Sequence, residues 1–420
     1  MSLVAIYDGA HPGAIPKPRN HGSGGPMRKL PWLLAFALIA AACAGGTSTT
    51  SAAPTGPIKL GLLTSLTGNY APLGTNDKLA AVQMVNAINA KGGINGRKVE
   101  LEILDDGSDP SQTVVQLTKL VDDGNIAFEG PSQSTAELAI QSLVNEKKIP
   151  DVSVGAADKQ VIPVTPYMWQ TTPLASQVAA ACMKFLQQQG KTRLAMLTDV
   201  KNAYAIAGHD VAVQKLSQYG LTLVTDQQFE TSNTNFAPQI ANIQNAKPDF
   251  LLVWATGAPP VTITKQWAAA STGIPLMMTA AEASPLYLQP SGPAAEGVYV
   301  EVSLAVVGQS LPANNKFKKL IDDFAGPFQQ ANNYYPPQFA WDSMIAMSFI
   351  FDAIKRKGAT SEGIRSGLDS ISLDTPNGRY TFTPQKHYGQ PDSSSFMSQV
   401  RNGQFVPIGI TQDQLARAGQ

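Results

Sequence analysis

The chain has 420 residues, 43% of them hydrophobic and 15% charged, with 31 Lys and Arg balanced by 31 Asp and Glu. That length allows two domains and a large core, the composition excludes a disordered chain, and the charge balance provides no basic footprint for nucleic acid. Four His and two Cys leave no zinc set, and nothing in the sequence requires a cofactor.

Residues 1–56 read as an upstream extension, a signal peptide and a flexible tether. "MRKLPWLLAFALIAAACAGG" begins at Met27, the expected true start, with Arg28 and Lys29 ahead of an apolar run and small residues. The run is shorter than the roughly 20 residues of a spanning helix. Cys43 is a candidate for lipidation, with "AGGTSTTSAAPTGP" as tether, although Ala42-Cys43-Ala44 also fits ordinary cleavage. Either way an exported protein is expected, in the periplasm or lipid-anchored on the outer face of the cytoplasmic membrane. Cys182, on an Ala-rich apolar stretch, reads as a small buried hydrophobe.

From Ile58 strand and helix patterns alternate. "IKLGLLTSL" is a strand, "NDKLAAVQMVNAINAKGG" a helix and "RKVELEILDD" a strand. "SQTVVQLTKLVDDG" is a helix with Ser111 as expected cap, followed by the strand "NIAFEG", the helix "TAELAIQSLVNEKK" and the strand "IPDVSVG". A second set follows, with strands at "TRLAMLTD", "LTLVTDQQF", "PDFLLVWAT", "IPLMMT" and "GVYVEVS" and helices between the first four. This alternation predicts an α/β fold with two doubly wound parallel sheets. After about Ser303 two helices come together, "NNKFKKLIDDFAGPF" and "FAWDSMIAMSFIFDAIKRKG". The tail is β, with Asn402-Gly403 marking a hairpin. The expected division is 57–173 plus 304–376 for one lobe and 174–303 plus 377–420 for the other.

"GPSQST" stands where a strand hands over to a helix, with Ser132, Ser134 and Thr135 together. Ligands of doubly wound sheets bind beyond such strand ends, and free helix N–H groups favour an anion there. Ser132 and Ser134 are therefore ligand candidates; the plainer reading is that one of them caps the helix. The next strand ends in "GAAD", whose small residues permit close approach to the backbone. Asp158 there fits a cation such as an ammonium group, or a cap on the next turn.

"IKLGLLTSLTGNYAPLG", "INAKGGINGRKVELEILDDGSDP", "GPSQST", "IPDVSVGAAD" and "AAEGVYV" resemble the extracytoplasmic solute-binding proteins of ABC importers, in particular the Leu/Ile/Val-binding protein family. The resemblance runs from Ile58 over nearly the whole remaining chain. It implies the type I periplasmic binding protein fold: two lobes joined by three crossovers, closing on a small amino acid or organic carboxylate and delivering it to a membrane permease. It implies Ser132 as a carboxylate ligand, with the turn of Ala156, Ala157 and Asp158 beside it. In that place relatives usually carry a Ser or Thr. Tyr204, Trp254, Thr256 and Gly257 are implied for the second lobe's side, and Glu282 as the partner of an ammonium group. Trp341 and Asp342 match an aromatic–Asp pair of the returning helix. A monomer is expected.

Two other classes remain at this point. The same fold serves as a sensor module acting through a membrane partner. "GPSQS" also resembles the elbow of a serine hydrolase with Ser132 as nucleophile, but Ser134 stands where the elbow has Gly, and no His has a triad context.

Overall fold

The computed structural model describes residues 56–420, so the signal segment and Cys43 lie outside the described residues. The chain first lays down β1 (Ile58–Thr64), α1 (Ala71–Ala90), β2 (Val99–Asp105), α2 (Pro110–Asp122), β3 (Phe128–Glu129), α3 (Ser134–Lys147), β4 (Asp151–Ser153) and β5 (Met168–Gln170). The strands form one sheet in the order β2-β1-β3-β4-β5, and every pairing is parallel. Six of the seven residues of β1 are buried, as a central parallel strand covered on both faces requires.

The next elements are α4 (Ala175–Gln188), β6 (Arg193–Asp199), α5 (Ala203–Lys215), β7 (Thr222–Phe229), α6 (Ala237–Ala246), β8 (Phe250–Trp254), α7 (Pro259–Ala269), β9 (Leu276–Met278), α8 (Pro285–Ser291) and β10 (Tyr299–Ser303). After these come α9 (Lys318–Asn332), α10 (Gln338–Lys357), α11 (Ser361–Leu368), β11 (Ser372–Thr375), β12 (Gly378–Thr381), β13 (Ser395–Arg401), β14 (Gln404–Pro407) and α12 (Gln412–Arg417). The second sheet has the order β14-β13-β10-β9-β8-β6-β7. Its β6 to β10 pairings are parallel, while the tail hairpin adds β13 and β14 antiparallel. Asn402 and Gly403 both take positive φ, the requirement of a two-residue hairpin turn. The β11–β12 hairpin lies across the expected 376/377 boundary.

Four local expectations change. Asp109, not Ser111, caps α2: its carboxylate accepts the Ser111 N–H at 2.8 Å, and Pro110 opens the helix without needing a donor. α1 begins at Ala71, ahead of the apolar stripe, with Pro72 in its first turn. The short strand β5 and the helix α8 were not apparent in the apolar pattern, and α8 separates β9 from β10.

α10 is buried almost all round, including Gln338, Asp342, Ser343 and Ser348. It packs along α1 and α11 and carries Trp341 against Phe324, ring centres 5.0 Å apart. A helix enclosed like this loses no water-facing side to polar residues, so each buried polar group on it needs a partner from the fold.

Candidate functional site

The C-terminal ends of β3 and β4 face those of β6, β8 and β9 across a cavity of about 40 Å3. This is where doubly wound sheets bind ligands. Ser132–Ser134 and Val154–Ala156 contribute from the first sheet, and Asn202, Tyr204, Thr256, Ala280 and Ala281 from the second. Leu73, Val178 and Phe339 make the apolar wall, and Gln338 and Asp342 reach it from α10. At the 10–15 Å3 one water needs, the space holds roughly three.

The three hydroxyls of the β3–α3 turn do different work, and none caps α3. The capping position is Gln133, whose side chain makes no cap bond. Ser132 Oγ donates to Asp77 Oδ2 at 2.6 Å, lies 2.6 Å from Thr64 Oγ1 and accepts the Ser65 N–H at 3.3 Å. Ser134 Oγ accepts from the Ala156 and Ala157 N–H groups at 2.9 and 3.0 Å and from Gln160 Nε2 at 3.0 Å. It therefore ties the β3 turn to the β4 turn. Thr135 Oγ1 accepts the Ala203 N–H at 3.0 Å, joining α3 to the start of α5 beside the other sheet.

Other bonds close the same seam. The Ala258 N–H donates to Asn69 O at 3.1 Å, and Asn202 Nδ2, which also donates to Thr256 Oγ1 on its own side, donates across at 3.4 Å to the Tyr70 hydroxyl. Gly257 sits at φ 80°, and a Cβ there would fall 2.6 Å from Asn69 O. Only glycine allows this approach without strain.

The sequence candidates divide into two groups. Ser132, Ser134, Ala156, Tyr204 and Thr256 line the cavity; Ala157, Asp158, Trp254 and Glu282 do not. Asp158 accepts from both the N–H and the hydroxyl of Ser176, which fixes it on the first turn of α4. Trp254 is fully buried behind Tyr204, ring centres 5.7 Å apart, over Gly208, where a Cβ would fall 2.1 Å from the indole. Glu282 is buried with Oε2 accepting from Thr279 Oγ1 at 3.2 Å, and burial pushes its carboxyl well up. Ala157 is buried beneath the β4 turn.

Gln133, Asn202, Gln338, Phe339 and Asp342 were missed as lining residues. Asp342 was legible as half of an aromatic–Asp pair, but nothing local assigns it to a cleft. Gln338 and Phe339 arrive only because α10 returns to the first sheet.

Behind the first sheet's side lie several buried acids. Burial raises the Asp77 carboxyl to about 7, opposed by its bonds from Ser132 and Thr64. Glu129 and Asp342 are pushed well above the carboxylate range, first by burial and with neighbouring acids adding to it, while the bond from Gln338 opposes the rise at Asp342. Glu137 and Asp151, buried side by side, are pushed up as well. Among the described residues no group of His, Cys, Asp and Glu suits a metal ion. The hydroxyl of Ser132 has no imidazole among its partners: His209 bonds to Asp210 and Asp226, and His387 is buried on Trp169.

Residues 57–404 match the periplasmic binding protein family. The chain belongs to that family. The Leucine-, isoleucine-, valine-, threonine-, and alanine-binding protein of Pseudomonas aeruginosa is 22% identical over 358 residues, 85% of this chain and 93% of that one. The Leu/Ile/Val-binding protein BraC3 of Rhizobium johnstonii is 29% identical over 194 residues, so that match spans 46% of this chain and only 53% of the relative. A solute-binding protein of an ABC transporter from Rhodopseudomonas palustris, solved with benzoate, has a TM-score of 0.74 at 20% identity, covering 84% of this chain and 96% of its own. A branched-chain amino acid transporter substrate binding protein from Streptococcus pneumoniae, solved with isoleucine, has a TM-score of 0.75 at 20% identity, covering 83% and 97%. At such identity the structural likeness is one of fold, the type I periplasmic binding protein fold expected above.

Proposed function

We propose that the protein is an exported substrate-binding protein that captures a small amino acid or organic carboxylate between two lobes, one built on each sheet, and delivers it to an ABC permease. The observation that carries this is the cavity itself, lined from the strand ends of both sheets. A solute bridging the two sides favours the closed arrangement by its differential affinity for it, and a membrane partner can read that arrangement. Import and sensing share this geometry and differ only in which partner reads it. The relatives' ligands set the range of solutes: branched-chain amino acids, and an aromatic acid in one structural neighbour.

A solute the size of leucine exceeds the present cavity, so its entry requires the lobes to part or the walls of Leu73, Val178 and Phe339 to move. Thermal unfolding of the full chain with leucine, alanine, phenylalanine and benzoate tests the reading. A ligand that binds only the folded form adds about 2.7 kcal/mol at 100 times its dissociation constant. A rise in Tm with at least one compound is expected; no rise with any of them overturns the proposal.

A further inference from the structure

We infer that Asp342 and Gln338, one turn apart at the start of α10, receive the amino group of the solute and make the site select amine-bearing solutes over plain carboxylic acids. This rests on the solute-binding reading above and assigns the pair of residues that sets its selectivity.

Asp342 is fully buried, with its side chain in the cavity wall. Both its oxygens accept from Gln338 Nε2, at 2.9 and 3.0 Å. It takes part in no ion pair among the described residues, and the charged groups acting on it are the acids Asp77, Glu129 and Glu301. The Gln338 amide is spent as a donor on this carboxyl, while its carbonyl oxygen is buried in the same wall with no donor. Two acceptor groups thus stand together, and the carboxyl among them can ionise there only against a counter-charge that the fold does not supply. A buried carboxylate needs a counter-charge, and a buried carbonyl needs a donor. An ammonium group supplies one positive charge and three N–H donors, enough for both.

Among the acids that line the cavity or were expected to, only Asp342 is in the wall. Asp158 is held by Ser176, Glu282 by Thr279, and neither carboxyl lies in the wall. A solute carboxylate is served elsewhere in the wall, where Gln133 Nε2 is buried without an acceptor at the start of α3. A des-amino acid would satisfy that donor and leave Asp342 and the Gln338 carbonyl unmet.

The test is calorimetric titration of the full chain with leucine, alanine and phenylalanine, each against its des-amino counterpart: 4-methylpentanoate, propionate and 3-phenylpropionate. Wild type should bind at least one amino acid more than about tenfold tighter than its counterpart, the size of one charge-assisted hydrogen bond. Asp342→Asn should remove most of that ratio, weakening the amino acid and leaving the counterpart within about threefold. Gln338→Leu should lower the ratio in the same sense, and it decides the matter alone should the Asp342 variant fail to fold. Equal loss on both members of a pair, no loss on either, or a wild type that prefers the des-amino acid overturns this inference and leaves solute binding standing. A wild type that binds none of the six overturns both.

Discussion

The segments after β3 and β4 bring hydroxyls, an amide and small residues to the cavity, whereas those after β6, β8 and β9 bring an amide, a phenol, a hydroxyl and two alanines. On the first side polar atoms bond mostly to one another. Ser132 is spent on Thr64 and Asp77, and Ser134 on the β4 turn, so the surface is held in place before any solute arrives. On the second side the shape is set by packing, with Tyr204 leaning on Trp254 and Trp254 lying over Gly208. One half of the cleft is fixed by hydrogen bonds and the other by close-packed rings. Perturbing them should therefore fail in different ways.

The largest effect should come from the packed side. Trp254→Ala removes a fully buried indole and should cost about 3–5 kcal/mol of stability by denaturant unfolding. Trp254→Phe should cost less and leave the order of solute preference unchanged, because the ring does not line the cavity. A selective loss of one solute at unchanged stability would mean that the ring reaches the ligand, and the contrast between the two sides would break.

The hydrogen-bonded side should show itself in pH dependence. The Asp77 carboxyl titrates near 7 in the folded protein against 3.8 as its ordinary value, so the folded chain keeps a proton that the unfolded chain has released between these limits. Its contribution to stability is full below about pH 4 and falls by about 1.4 kcal/mol per unit as pH rises towards 7. Asp77→Asn should flatten the decline of unfolding free energy over that window by up to one proton's slope. Glu301, on β10 of the second sheet, is also raised to about 7 by burial and bonded by Ser395, and should contribute a like slope that Glu301→Gln removes. If Asp77→Asn leaves the slope unchanged, that acid is ionised throughout and the hydrogen-bonded side is wetter than the fold implies.

The difference between the two sides also explains what could be read in advance. Strand and helix periods located β1, β2, α2 and the Asn402-Gly403 turn, because each depends on neighbours a few residues away. The strand-end position of "GPSQST" marked Ser132 and Ser134 as cavity residues, but their partners were out of reach: Asp77 lies 55 residues from Ser132, and Ala156 lies 22 from Ser134. Trp254 closes its strand with its ring turned onto Gly208, a choice made by the facing helix rather than by local pattern. Asp158 is likewise drawn off by Ser176 on α4, 18 residues away, rather than capping the turn that follows it. Gln338 and Asp342 could not be placed at all, since their nearness to Ser132 depends on a crossover some 200 residues later.

The smallest expected effect lies where the two sides touch. Thr135 Oγ1 accepts the N–H of Ala203, the first residue of α5, at 3.0 Å and faces Lys201 O at 3.5 Å. Few groups hold the closed form without any solute between them, and this hydroxyl is one. Thr135→Ala removes one neutral hydrogen bond, worth about 1 kcal/mol, or roughly a fivefold change in the balance between closed and open forms. Because the bond joins the two sides, the loss should appear as faster solute release in stopped-flow measurements, with the association rate nearly unchanged. Overall stability should barely move, since the residue is only partly buried and each side keeps its own means of support. An unchanged release rate would show that closure is governed by the solute's own contacts, and the hydroxyl would then serve only to align α3 with α5.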